Sequence, residues 1–223
     1  MAQKPMGKVM ETVNRATPIA GGVLRRMLEI AIDGISGLPG AKHSASHHLQ
    51  RTGDVDEAID SLVATHIAMA GAQGFVTNLG GLLAMPVTLP ANVTGILTIQ
   101  TRMIAAIAHL RGYDLNDNRV RTAIVACLLG GEEVARRIHN GTLPTSPMAM
   151  ATAPVFDPAL DAAVAKEVLR DVVARVGGKG LSITLTKRIP IIGGGVGAAW
   201  DGWATRQLGV YARGELVTRR RRA

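Results

Sequence analysis

The residues best suited to chemistry are a histidine cluster, a glycine-rich run and one thiol. His43, His47 and His48 lie close together, and His43 and His47 share a face at helical spacing. A bound metal needs further ligands, and no cysteine or carboxylate cluster accompanies them; a solvated histidine-rich connection is expected, and no metal site. Glu132-Glu133 with His139 lacks the Glu-x-x-His spacing of carboxylate-bridged metal helices and reads as an exposed charged face. Gly193-x-Gly195-x-x-Ala198, with Glu215 downstream, imitates a dinucleotide fingerprint. That chemistry needs a strand before the glycines, where Pro190 would remove a ladder donor. Close helix packing is the expectation, and no cofactor is implied. Cys127, the only cysteine, falls in an apolar helical pattern with Val120, Ala123, Ile124 and Leu128 and reads as a buried, inert thiol. No serine–histidine–acid set, Walker motif or HExxH motif can be assembled, so the chain is expected to be non-enzymatic, with no catalytic residue.

The element that must position any polar site is long and uncharged. From Ser61 to Thr101 there is no formal charge. Pro86 and Pro90 divide the stretch into one helix from about Val55 to Met85 and another from about Ala91 to Arg111, an αα-hairpin. With the turn centred between the prolines, His66 falls level with His109, and Gln73 and Thr77 fall level with Met103 and Gln100. On the first helix His66, Gln73 and Thr77 occupy one face. A polar seam of His66, Gln73, Thr77, Gln100 and His109 is therefore expected inside the hairpin, either as groups that satisfy one another or as a ligand or proton site. Small residues such as Ala64, Ala68, Gly71 and Ala72 suit close helix approach in lipid or in water. Length alone admits a buried core hairpin, a hairpin inserted in or lying on a membrane, and a double span.

Around the hairpin the periodicity predicts further helices. Residues 1–20 read as weakly ordered. A helix over 22–35 stops at Gly37-Leu-Pro-Gly40, and 41–53 is a polar connection or a short helix. Asp117 caps an amphipathic helix reaching His139, and 140–157 reads as a Pro- and Thr-rich loop. Asp157-Pro158 starts a helix that ends at Gly177-Gly178; 183–186 is a strand or part of a helix, and 191–211 is helical. Aromatic residues make up only 3% of the chain and there are 26 glycines, which suits close helix contact and argues against a sandwich or barrel. The expected fold is all-α: a single-domain helical bundle around the uncharged hairpin, with its body at 21–213.

Residues 214–223 form a basic tail, in which Arg219, Arg220, Arg221 and Arg222 supply half of the net charge of +8. Such a run is attracted to anionic surfaces. Nucleic acid is the weaker partner, because the body has no aromatic-plus-basic face. The N-terminus has no apolar stretch behind its basic residues, and one cysteine suits a reducing compartment; cytoplasmic location is the expectation.

Two blocks of residues resemble a known family. Gly74-Phe75, Gly80-Gly81, Pro86-x-x-x-Pro90, Gln100-x-Arg102-Met103, Gly112-Tyr113-Asp114 and Arg119-x-Arg121 form the first. Ile189-Pro190-Ile-Ile-Gly193, Gly197, Thr205-Arg206, Gly209 and Tyr211-Ala212 form the second. Together, over about 60–212, they resemble the EcsC family of bacterial proteins. The resemblance implies a hydrophobic, helical protein; the family is named for a protein encoded beside an ABC transporter, which implies an accessory role at the cytoplasmic membrane. Two positions depart from the family pattern: Asn92 stands where an acid is frequent, and Asp201 where an asparagine is frequent.

The expectation from sequence is thus a non-enzymatic accessory protein associating peripherally with the inner face of the cell membrane. The hairpin, or the glycine-rich segment 191–199, would meet lipid or a membrane protein, and the basic tail would add attraction. Self-association is left open. The alternative is a soluble bundle holding an apolar ligand, such as an acyl chain, near His66, Gln73 and Gln100.

Overall fold

The computed structural model describes residues 22, 24–35, 38–79, 91–186 and 190–219. Among them run helices α1 (24–33), α2 (Ala41–Thr52), α3 (Val55–Leu79), α4 (Ala91–Leu110), α5 (Asn118–Cys127), α6 (Gly131–His139), α7 (Pro147–Thr152), α8 (Pro158–Thr186) and α9 (Pro190–Glu215). The only extended pairing among these residues is a two-residue antiparallel ladder, β1 (Gly34–Ile35) with β2 (Leu38–Pro39), which closes the turn between α1 and α2. The fold is an all-α bundle.

Local chemistry sets the helix boundaries. Gly53 takes the left-handed conformation at the end of α2, and its N–H donates to Leu49 O at 2.8 Å. Asp54 follows at once and accepts from the amides of Asp56 and Glu57, at 2.8 and 3.0 Å, to start α3. Asp117 caps α5 by accepting from Arg119 N. Asp157 caps α8 through Ala159 N and Leu160 N, with Pro158 as the first helical residue.

Several expected boundaries move. Residues 41–53, left open between connection and helix, are helical as α2. The helix expected from Asp117 to His139 is two, because Gly130 adopts φ +81 and breaks the ladder between α5 and α6. The loop expected over 140–157 contains α7, which starts at Ser146-Pro147. Helix α8 does not stop at Gly177-Gly178 but continues to Thr186, so 183–186 is helical. Glycine there carries only a propensity penalty of about 1 kcal/mol per residue, which packing can override. Helix α3 is described to Leu79, and its expected end near Met85 lies outside the described residues.

Two helical hairpins organise the bundle. In the first, α3 and α4 pack antiparallel, with α2 lying across both. The second consists of α8 and α9, joined by three residues. Helix α9 packs along α3, and the contacts run in opposite directions: Gly71 faces Ala198 O, Gly202 faces Ile67, and Gly209 faces Val63. The α3–α4 and α8–α9 ends where each hairpin reverses therefore share one pole. At the other pole lies an ion-pair network. Asp56 of α3 receives Arg111 of α4 at 2.9 Å and Arg213 of α9 at 3.2 Å, and Arg213 also reaches Asp60.

The core is continuous, with α4 at its centre. Met103, Ile104, Ala105, Ala106, Ile107 and Ala108 have no exposed surface. Helix α4 is the one described helix whose apolar window is long enough to cross a membrane, and most of that window (67%) is buried within the protein. It is thus a core helix over its second half.

Candidate functional site

The polar group at the heart of the bundle is His66. Its ring is completely buried on α3. Nδ1 lies 2.8 Å from Leu62 O, which accepts, so Nδ1 carries the hydrogen and Nε2 presents a lone pair. Arg102 Nε on α4 donates to that lone pair at 3.1 Å. The same guanidinium donates to Pro39 O at 3.2 Å and to Met69 Sδ at 3.0 Å. Arg102 is itself 5% exposed, and among the described residues no carboxylate pairs with it. Burial pushes the His66 pKa down to about 4, and the Arg102 and His48 charges push in the same direction. Burial also holds Arg102 below the usual guanidinium range. Near this cluster His48 is buried on α2 with Nδ1 2.9 Å from Ser61 Oγ, and its pKa is lowered by burial first and by the His47 and Arg51 charges second.

Of the five seam residues, two are brought inside the bundle but not to each other. Gln100 is buried and its amide donates to Thr205 Oγ1 of α9 at 3.2 Å. His66 meets Arg102 instead of His109, which stands about 10 Å further along α4 and is only part-buried. The register differs from expectation by seven residues of α4, since His66 stands level with Arg102 and not with His109. The side chains of Gln73 and Thr77 lie outside the described residues. What sequence reasoning missed is Arg102 as the partner of His66. A lone arginine one residue past a charge-free run was the available signal.

A second feature lies between the hairpin arms of α8 and α9. Helix α8 packs chiefly on α5, and α9 packs on α3 and α4, so the arms diverge. Between them is an open groove of about 770 Å³, lined by Ala174 on one wall and by Trp200, Trp203 and Gln207 on the other. Its floor is the α5–α6 corner. Gly131 is needed there, since a Cβ would come within 2.9 Å of the Tyr211 ring. A buried charge pair, Arg137 to Glu167 at 3.1 Å, fixes α6 against α8. Trp200 and Trp203 are half exposed (53% and 52%) with ring centroids 5.1 Å apart.

Comparison with known families adds one finding. The profile of the EcsC protein family matches residues 14–220. The chain belongs to the EcsC family. No curated protein and no solved structure matches it. The two blocks that carried the resemblance meet in this EcsC protein, for Gln100 of the first bonds Thr205 of the second, and Gly209 lies against Met103 and Val63. These family residues hold α4 and α9 together.

The remaining sequence candidates separate. Arg219 is not part of a free tail: its N–H donates to Arg111 O at 2.9 Å, and its guanidinium lies 5.8 Å from the Tyr113 ring centroid. Leu216 is buried, so the ordered body of the EcsC fold passes the boundary expected at 213. Arg220, Arg221 and Arg222 lie outside the described residues. Arg219 sits at the C-terminal end of α4, about 30 Å from the hairpin pole. Cys127 is fully buried, and burial raises its thiol pKa. Glu215 accepts from Met148 N at 2.9 Å at the start of α7, and the residues before Pro190 that a dinucleotide site needs as a strand are helical to Thr186. His43 and His47 are exposed on α2. Among the described residues, no group of three or more His, Cys, Asp or Glu side chains is placed to hold a metal.

Proposed function

We propose that this EcsC protein is an accessory protein that associates peripherally with the cytoplasmic face of the cell membrane, through the pole where its two helical hairpins reverse. One relationship carries the reading. Antiparallel packing of α9 on α3, with Gly71 facing Ala198, sets the uncharged stretch 61–101 beside the uncharged stretch 189–200. Two apolar segments, distant in sequence, converge on one end of a molecule whose other end is an ion-pair network. Exposed Trp200 and Trp203 stand about 15 Å from the start of α9, and tryptophan pairs of this kind favour the headgroup level of a bilayer. The arginine tail is left out of the contact surface because its ordered start lies at the opposite pole.

Flotation of the full chain with neutral and anionic vesicles, at low and high salt, tests the reading. The expected result is flotation that survives high salt and removal of residues 220–223, and that weakens in Ile192→Glu. Absence of flotation under every condition would overturn the proposal. Flotation abolished by the truncation would reassign the contact to the arginines of the tail.

A further inference from the structure

Among the described methionines, Met27, Met103 and Met150 are buried, whereas Met69 and Met148 are half-buried. Those two are the thioethers that a dissolved oxidant meets in the folded protein. They differ in what surrounds them. Met148 makes its hydrogen bonds through the backbone: its N–H donates to Glu215, and its carbonyl accepts from Thr152. Met69 uses its sulfur, which accepts from Nη2 of Arg102 at 3.0 Å.

That cation is poorly served. Arg102 is buried, and no carboxylate pairs with it among the described residues. Its acceptors are an imidazole nitrogen of His66, the peptide carbonyl of Pro39 and the Met69 thioether. Sulfur is the weakest acceptor of the three. A desolvated guanidinium gains most from an oxygen that carries negative charge.

Oxidation supplies such an oxygen. With a peroxide, a sulfur lone pair attacks one peroxide oxygen; an S–O bond forms and the O–O bond breaks. Sulfur loses two electrons, and the departing oxygen takes the proton of the transferred hydroxyl and leaves as water. Methionine is unbranched and turns about three bonds, so the new oxygen can reach the guanidinium without movement of the backbone. A sulfoxide usually disrupts a core, because its oxygen lands among apolar neighbours. At Met69 the neighbour is a cation short of an anionic partner.

We propose that Met69 is a peroxide-sensitive modification site, at which the sulfoxide oxygen replaces sulfur as the acceptor for Arg102 and tightens α3 against α4. The inference goes beyond the membrane reading and does not rest on it. A methionine sulfoxide reductase would return the site to the thioether.

The test treats the folded, full-length protein with dilute hydrogen peroxide, maps the products by peptide mass spectrometry, and compares melting before and after. The expected result is sulfoxide at Met69 and a melting temperature higher by about 2–4 °C. Met69→Leu, close in volume, should abolish the rise, and Met148→Leu should leave it intact. In Arg102→Leu the same oxidation should lower the melting temperature, because the oxygen then lacks its donor. Three results would overturn the proposal: a Met69 that stays unoxidised in the folded protein, an oxidised protein that melts no higher than before, and a rise that survives Met69→Leu or Arg102→Leu.

Discussion

Arg102 donates through Nε to Nε2 of His66 at 3.1 Å, so a buried cation rests on a neutral imidazole and on no carboxylate among the described residues. The arrangement works because His66 commits its other nitrogen to Leu62 O, which fixes the tautomer that can accept. Through Pro39 O, the same guanidinium ties α4 to the turn before α2.

Removing the acceptor should therefore be worse than removing the cation. His66→Leu leaves Arg102 charged, buried and short of a partner, with an expected loss of about 3–5 kcal/mol. Arg102→Met leaves only an unused lone pair and is expected to cost about 1–3 kcal/mol. Adding Arg102→Met to His66→Leu should restore part of the stability. Urea denaturation of the four proteins in this cycle checks the order; a double variant less stable than His66→Leu would contradict it.

The pH dependence has a definite sign. The folded-state pKa of His66, about 4, lies below its ordinary value of 6.5, so the unfolded chain takes up a proton that the folded chain resists. Stability from this group is fully present above 6.5 and is lost as pH falls toward 4. The total is about 3 kcal/mol for a shift of this size. Melting temperature followed from pH 7.5 to 4 should fall more steeply in the parent protein than in the His66→Leu, Arg102→Met double variant.

Helix α9 approaches α3 at Gly209, where an added Cβ would lie 2.9 Å from Val63 Cγ1 and 3.4 Å from Met103 Sδ. Val63 is β-branched and stiff, so it cannot swing away. Gly209→Ala is expected to destabilise by about 1–3 kcal/mol, as overpacking does. Val63→Ala in the same chain should recover much of it, which thermal unfolding of the single and double variants would show.

The all-α class and most helix starts were legible, because they depend on local signals: Asp117 and Asp157 cap where their positions predict, and the charge-free run does form the arms of a hairpin. Errors came where tertiary contact overrides local preference. Gly177-Gly178 reads as a stop yet lies within α8, whereas Gly130 does break a helix that the apolar pattern carried straight through. The seam illustrates the limit for sites. Its register depended on where the hairpin is centred, and a shift of seven residues exchanges His109 for Arg102 as the neighbour of His66. The groove had no sequence signature, since Ala174 and the tryptophans become neighbours only through the divergence of two helices.

The hydrogen bond from Gln100 to Thr205 spans 105 residues, and Gly209 covers Val63 from further still. Translation at roughly 5–20 residues per second therefore separates the appearance of the uncharged hairpin from that of its cover by about 5 to 20 s. During that interval Val63 and Ile67 have emerged while the helix that packs on them is still unmade. The nascent chain thus presents this face of α3 well before the helix that covers it exists, and the face can close only when the last part of the chain has been made.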